Sequence, residues 1–161
     1  MGSIMGYTIT IGQAIFTAPE HIGDPGDWSI DRIELDDAPH FPDSGRSNCR
    51  SPSYGVWHGF ARAAGLGHLF DTETRETVEG HLCPSYPCVA PLTPEHVRII
   101  SEALAAFRAA HPDAQPRCST SLFPPHDDVG PHDAHLMRLV WLEWWVRWAV
   151  EHCTHPAIEM G

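Results

Sequence analysis

Twelve histidines in a chain of 161 residues are the strongest compositional hint of a chemical site. His126, Asp127, Asp128, His132, Asp133 and His135 crowd one short stretch. Neutral imidazoles and carboxylates suit zinc, iron or manganese, so His126, Asp128, His132 and His135 form a candidate set for a divalent transition metal. A catalytic version would leave one position open for water and activate it for hydrolysis. His132 and His135 are three apart and share a helix face only if the helix starts early. HExxH is absent, and the plainer account places these histidines in a loop and a helix cap.

A second cluster is His81, Cys83, Cys88 and His96. The CPSYPC spacing lies at the outer limit of common zinc spacings, and a second cysteine pair is missing. Five widely spaced cysteines read as free thiols or metal ligands in a reducing cytoplasm, with a Cys83–Cys88 disulfide as the lesser alternative. Cys153, between His152 and His155, offers a thiolate with an imidazole base, but such catalysis needs orientation that adjacency does not provide. A small buried thiol is the simpler account.

The stretch SNCRSPSYGVWHGF gives a non-metal candidate. Asn48, Arg50, Ser51 and Ser53 gather donors and acceptors at the entry to a helix bearing Tyr54 and Trp57. Unpaired N–H groups at a helix start attract anions, and Arg50 could add a bidentate clamp for an anion or nucleotide. The local account leads: Arg50 pairs with an acid, while Ser and Asn side chains cap and turn the chain. The phosphate signatures GxxxxGK[ST] and GxGxxG are absent.

These groups must be positioned by elements, and the strongest is LMRLVWLEWWVRWAV, residues 136–150. Trp141, Trp144, Trp145 and Trp148 spread over a broad face of a helix expected from Ala134 to His152, capped by Asp133. Glu143, Arg147 and Glu151 recur at i, i+4, i+8 on a nearly opposite stripe, where Arg147 can pair with either acid. A helix apolar around most of its circumference belongs inside a protein or at an interface. The stripe therefore reads first as a solvent-facing salt-bridge ladder, then as a pocket wall, then as a subunit interface. A transmembrane span is rejected because the apolar run is short and the charges would be costly in lipid.

Before it, YTITIGQAIF (7–16) and WSIDRIEL (28–35) read as two antiparallel strands, with Gly12 as a bulge. Residues 54–64 carry apolar positions at helical spacing, capped by Ser51 or Ser53 and stopped at Gly65. Thr93-Pro94-Glu95 opens a further helix whose apolar face is Val97, Ile100, Leu104 and Phe107, ending at His111-Pro112. The expected fold is a single α+β domain over 7–155, mainly helical, with a small N-terminal antiparallel sheet and long ordered loops. Residues 1–6 read as an added or flexible lead, and 156–161 as a C-terminal tail.

Ten basic residues, all arginine, against 21 acidic ones give a net charge of −11. That balance argues against direct nucleic-acid binding, because each phosphate contact needs a local cation. The start of the chain lacks the basic and apolar regions of a signal peptide.

SPSYGVWHGFARAAGL, PLTPEH and LVWLEWWVRWAV together resemble small proteins encoded by actinobacterial phages and their hosts. The resemblance implies a bacterial cytoplasm and an accessory role, and brings no catalytic residues. The leading expectation is an accessory or regulatory protein that binds a protein partner or a second copy of itself. The alternatives are a small metal-dependent hydrolase and an anion or nucleotide binder.

Overall fold

The computed structural model describes residues 6–42, 44–70, 80–82, 88–117 and 130–161. Its centre is a curled, five-stranded antiparallel sheet rather than a small N-terminal hairpin. Strand β1 (Ile9–Thr17) pairs with β2 (Asp27–Ile30), β3 (Cys49–Arg50) and β5 (Pro156–Met160), and β4 (Cys88–Pro91) completes the order β2-β1-β5-β4. Residues 156–161, expected as a tail, thus supply an inner strand. Ile9 pairs with Met160 and Ile11 with Ile158, placing four apolar side chains on one face.

β1 changes partners along its length. Ile9 and Thr10 face β3, whereas Ala14–Thr17 face β2. Asn48 fills the gap between them. Its backbone carbonyl accepts from the Ile11 N–H (3.1 Å), and its side-chain amide donates to the carbonyls of Ile11 (2.8 Å) and Asp31 (3.0 Å). Its side-chain oxygen accepts from the Ile33 N–H (2.8 Å). One side chain satisfies three backbone groups that a diverging sheet edge would leave unpaired. Gly12 is no bulge: Gly12 pairs with Ala157 in unbroken register, and a Cβ there would stand 3.3 Å from Ile30 Cγ2 and 3.5 Å from the Asn48 amide nitrogen. The glycine lets these groups cross close above β1.

Of the four helices, α4 lies against the sheet, and the others pack on it or on one another. α1 (Tyr54–Ala63) is capped by Ser53, whose hydroxyl accepts from Val56 N–H, and the chain leaves through Gly65 at φ +73°. α2 (Gly67–Phe70) adds one turn. α3 (Pro94–Ala110) begins as its Thr-Pro-Glu signal implies. α4 (Pro131–His152) starts earlier than expected, with Gly130 at the cap. Asp133 is instead in its first turn, where its carboxylate accepts from the Gln115 N–H (2.9 Å) and pairs with Arg117. α4 packs on β1 and β5 and also lies along α3. The core between these layers is dominated by Trp57, Phe60, Phe70, Trp141, Leu142 and Trp145.

The missing strands have a common cause. β3, β4 and β5 are two to five residues long, and both β4 and β5 include a proline. Too few residues remain for an alternation to emerge.

Candidate functional site

Of the expected anion set, Asn48, Arg50 and Trp57 belong to the core. Asn48 spends its side chain on the backbone bonds described above. Arg50 is buried, with Nη1 2.7 Å from Met137 Sδ and its guanidinium 5.7 Å from the Trp141 ring and 5.9 Å from the Phe41 ring. This is cation–π and thioether packing rather than an open clamp at a helix start. Ser53 caps α1, Ser51 is exposed, and Tyr54 and Trp57 pack on Tyr7 and on Phe60 and Phe70.

Both metal sets are described only in part. His126, Asp128 and Cys83 lie outside the described residues, and among the described residues no three of His, Cys, Asp and Glu converge to hold a metal ion. His132 stacks on His111, ring centroids 3.7 Å apart, beside a cleft of about 340 Å³ between the end of α3 and the start of α4. His135 lies 6.2 Å from the Phe60 ring; burial holds its pKa down, and Arg138, His132 and His111 add to that.

His96 has both ring nitrogens engaged. Nδ1 accepts from the Thr93 N–H (3.0 Å), so the neutral ring carries its proton on Nε2, 2.8 Å from the Gly80 carbonyl. It takes the place of the glutamate in a capping box. Cys88 directs its thiol toward the Leu82 carbonyl, and His81 is half-buried. Burial raises the Cys153 thiol, opposite to what a nucleophile needs, while His152 bonds the Trp148 carbonyl (2.9 Å) and stacks on its ring.

The tryptophan helix is structural support. Trp141 and Trp145 are buried, and Trp141 Nε1–H donates to the Ser47 carbonyl (3.0 Å). The indole N–H groups of Trp145 and Trp57 meet no acceptor among the described residues. The charged stripe begins at the α3 seam: Glu143 accepts from Arg147 Nε (3.0 Å) and from the Ser101 hydroxyl (3.2 Å). Arg147 and Trp144 are half-buried, as is Trp148, while Glu151 is exposed.

The most outward apolar chemistry lies elsewhere, on the β1–β2 hairpin. β1 runs past its last pairing with β5, at Gln13, and from Ala14 onward is held by β2. Phe16 and Trp28 are partners in the register, and their rings meet at a tilt of 50° with centroids 5.1 Å apart. Phe16 is 52% and Trp28 46% exposed, where core aromatics of this protein are near zero. Of the large hydrophobics exposed among the described residues, Ile15, Phe16, Ile22 and Trp28 belong to this hairpin and only Val56 lies outside it. Phe16 and Trp28 share one face of the hairpin, and Ile15 lies on the other. Gly26 makes the arrangement fit, since a Cβ there would fall 2.0 Å from the Phe16 ring.

Beside the hairpin is a groove of about 390 Å³ lined by Ala14, Trp28, Val89, Pro91, His155 and Ala157, among others. By strand alternation Ala14, Phe16, Trp28, Ile30, Val89, Ala157 and Glu159 share the sheet face opposite the main core. Ala14, Ile30 and Ala157 form a second, small apolar cluster there. Burial pushes the Glu159 carboxyl up and the nearby Asp27 charge adds to it, while a hydrogen bond from the Ile30 backbone opposes both.

No family model matches the chain, and neither a curated protein nor a solved structure is similar to it. No helix among the described residues is long and apolar enough to cross a membrane. The functional signal therefore rests on geometry. The sequence did carry a trace of it: the alternation over residues 7–16 fails where Ile15 and Phe16 stand side by side, on a stretch of strand whose two faces are both open.

Proposed function

We propose that this chain is an accessory or regulatory protein that acts by binding another protein, in a bacterial or phage-infected cell, through the β1–β2 hairpin and the groove beside it. The observation that carries the reading is the exposed Phe16–Trp28 pair at the lip of an apolar groove. Aromatic anchors next to a cavity are where interface energy concentrates. The same side chains contribute little to the main core, so their retention on the surface is better accounted for by contact than by folding. The resemblance to small phage-encoded proteins supports the cellular setting alone.

The test is a paired capture. Tagged wild-type protein and a Phe16→Ser/Trp28→Ser variant are incubated with bacterial lysate from infected and uninfected cells, after circular dichroism and thermal melting establish that both fold. The expected result is at least one protein retained by the wild type and lost with the variant. Identical capture profiles would remove this face as the binding surface. Metal hydrolysis and anion binding gain no specific support among the described residues, where Asn48, Arg50, Ser53 and His96 are engaged in packing, capping and backbone bonds, while His126, Asp128 and Cys83 lie outside those residues.

A further inference from the structure

Resting on that reading, we infer that the hairpin and groove take a cationic segment of the partner, one that offers arginine or lysine alternating with apolar side chains. The argument is charge placed around apolar surface. From Thr17 to Ile30 the chain carries Glu20, Asp24 and Asp27, with neither lysine nor arginine, while Asp31 just past β2 is followed by the exposed Arg32. Glu20, Asp24 and Asp27 are all exposed, on the same hairpin that exposes Ile22, Phe16 and Trp28. Glu159 is half-buried on the groove's own sheet face, beyond Ala157, where burial raises its carboxyl and Asp27 adds to that. A cation brought to this face compensates the carboxylate for the water it has lost. The exposed faces of Trp28 and Phe16 suit the alkyl stems of arginine and lysine and the guanidinium plane.

The geometry also selects an extended partner. β2 is an edge strand, and a strand added to it presents alternate side chains to the sheet face that carries Trp28 and the groove. A second copy of this chain is the competing occupant. Two chains of net charge −11 meeting through hairpins that carry only acids would repel, so self-association through this face is disfavoured.

The probes are three fluorescent hexapeptides, capped at both ends, with valine alternating with arginine, with glutamine or with glutamate. Binding to the full chain is followed by anisotropy, and the contact face by hydrogen exchange. The arginine peptide is expected to bind and to protect the β1–β2 hairpin, with affinity falling at least tenfold as salt rises from about 0.05 M to about 0.5 M. Affinity should fall about tenfold in Glu20→Gln/Asp24→Asn and in Asp27→Asn/Glu159→Gln. A control of equal charge change on distant exposed acids, Glu102→Gln/Glu151→Gln, should lose no more than about twofold.

If the control loses as much as the hairpin variants, the attraction is to net charge and the inference falls. Equal binding of the glutamine or glutamate peptide overturns the cationic partner while leaving the binding face intact, provided Phe16→Ser/Trp28→Ser abolishes it. Absence of binding by all three peptides overturns the inference as well. Sedimentation showing a wild-type dimer that Phe16→Ser/Trp28→Ser dissociates would assign the face to self-association instead.

Discussion

The α4 helix and the β1–β2 hairpin use the same residue type in opposite ways. In α4, Trp141 and Trp145 have no exposed surface, and in the hairpin Trp28 shows nearly half of its own. The difference is one of neighbours. α4 is enclosed by the sheet on one side and α3 on another, whereas Ala14–Thr17 extend past β5 with β2 for company. An aromatic side chain surrounded by elements supports the fold, and one on an element that outruns its neighbours is left to meet another molecule. Composition alone cannot separate the two, because the separation is made by strand lengths.

The comparison can be broken most forcefully inside α4. Trp141→Ala removes a fully buried indole and strands the Ser47 carbonyl, and is expected to cost about 3–5 kcal/mol in a urea titration. A loss below about 1 kcal/mol would mean that α4 is not the central support. Next in size is Asn48→Ala, which leaves the Ile33 N–H and the Ile11 and Asp31 carbonyls short of partners. Its expected cost is about 1–3 kcal/mol, and hydrogen exchange should quicken where β2 and β3 part.

A smaller effect belongs to the α3–α4 corner. His135 is held neutral in the fold, so below the ordinary histidine pKa of about 6.5 the unfolded chain takes up more protons than the folded one. The contribution is fully present above that pH and is lost as pH falls through the lowered folded value. Melting temperature should therefore decline across this window, and His135→Gln should flatten the decline. An unchanged profile in the variant would assign the slope to other groups. Smallest in stability is Gly26→Ala. The Phe16 ring is exposed and can swing aside, so the melting temperature should shift by no more than a few degrees. The near-ultraviolet signal of the Phe16–Trp28 pair should nonetheless change, and a spectrum matching wild type would show that Gly26 is not what seats the ring.

What the sequence made legible follows from length. α1, α3 and α4 are ten residues or more, and each has several turns in which apolar positions recur. β1 was visible for the same reason. β5 was not, because PAIEM is five residues opening on a proline, and its outer face sets the buried Ala157 beside Glu159, so the alternation is too short and too weak to stand out. The site residues divided on another principle. His, Cys and Asn were legible as chemical groups, but His96 and Asn48 spend that chemistry on backbone atoms, and only coordinates reveal which acceptor lies within reach. The hairpin face was overlooked because an apolar strand gives the same pattern whether or not anything covers it.

The pairing of Ile9 with Met160 has a kinetic consequence. β1 is synthesised long before its inner partner β5. Until β5 emerges, the strand ITIGQAIFT has an open edge and an uncovered apolar face. Long-range pairing of this kind slows folding and prolongs exposure to aggregation. The pairing with β2 is by contrast local, closed within Ala14–Ile30, and needs none of the later strands.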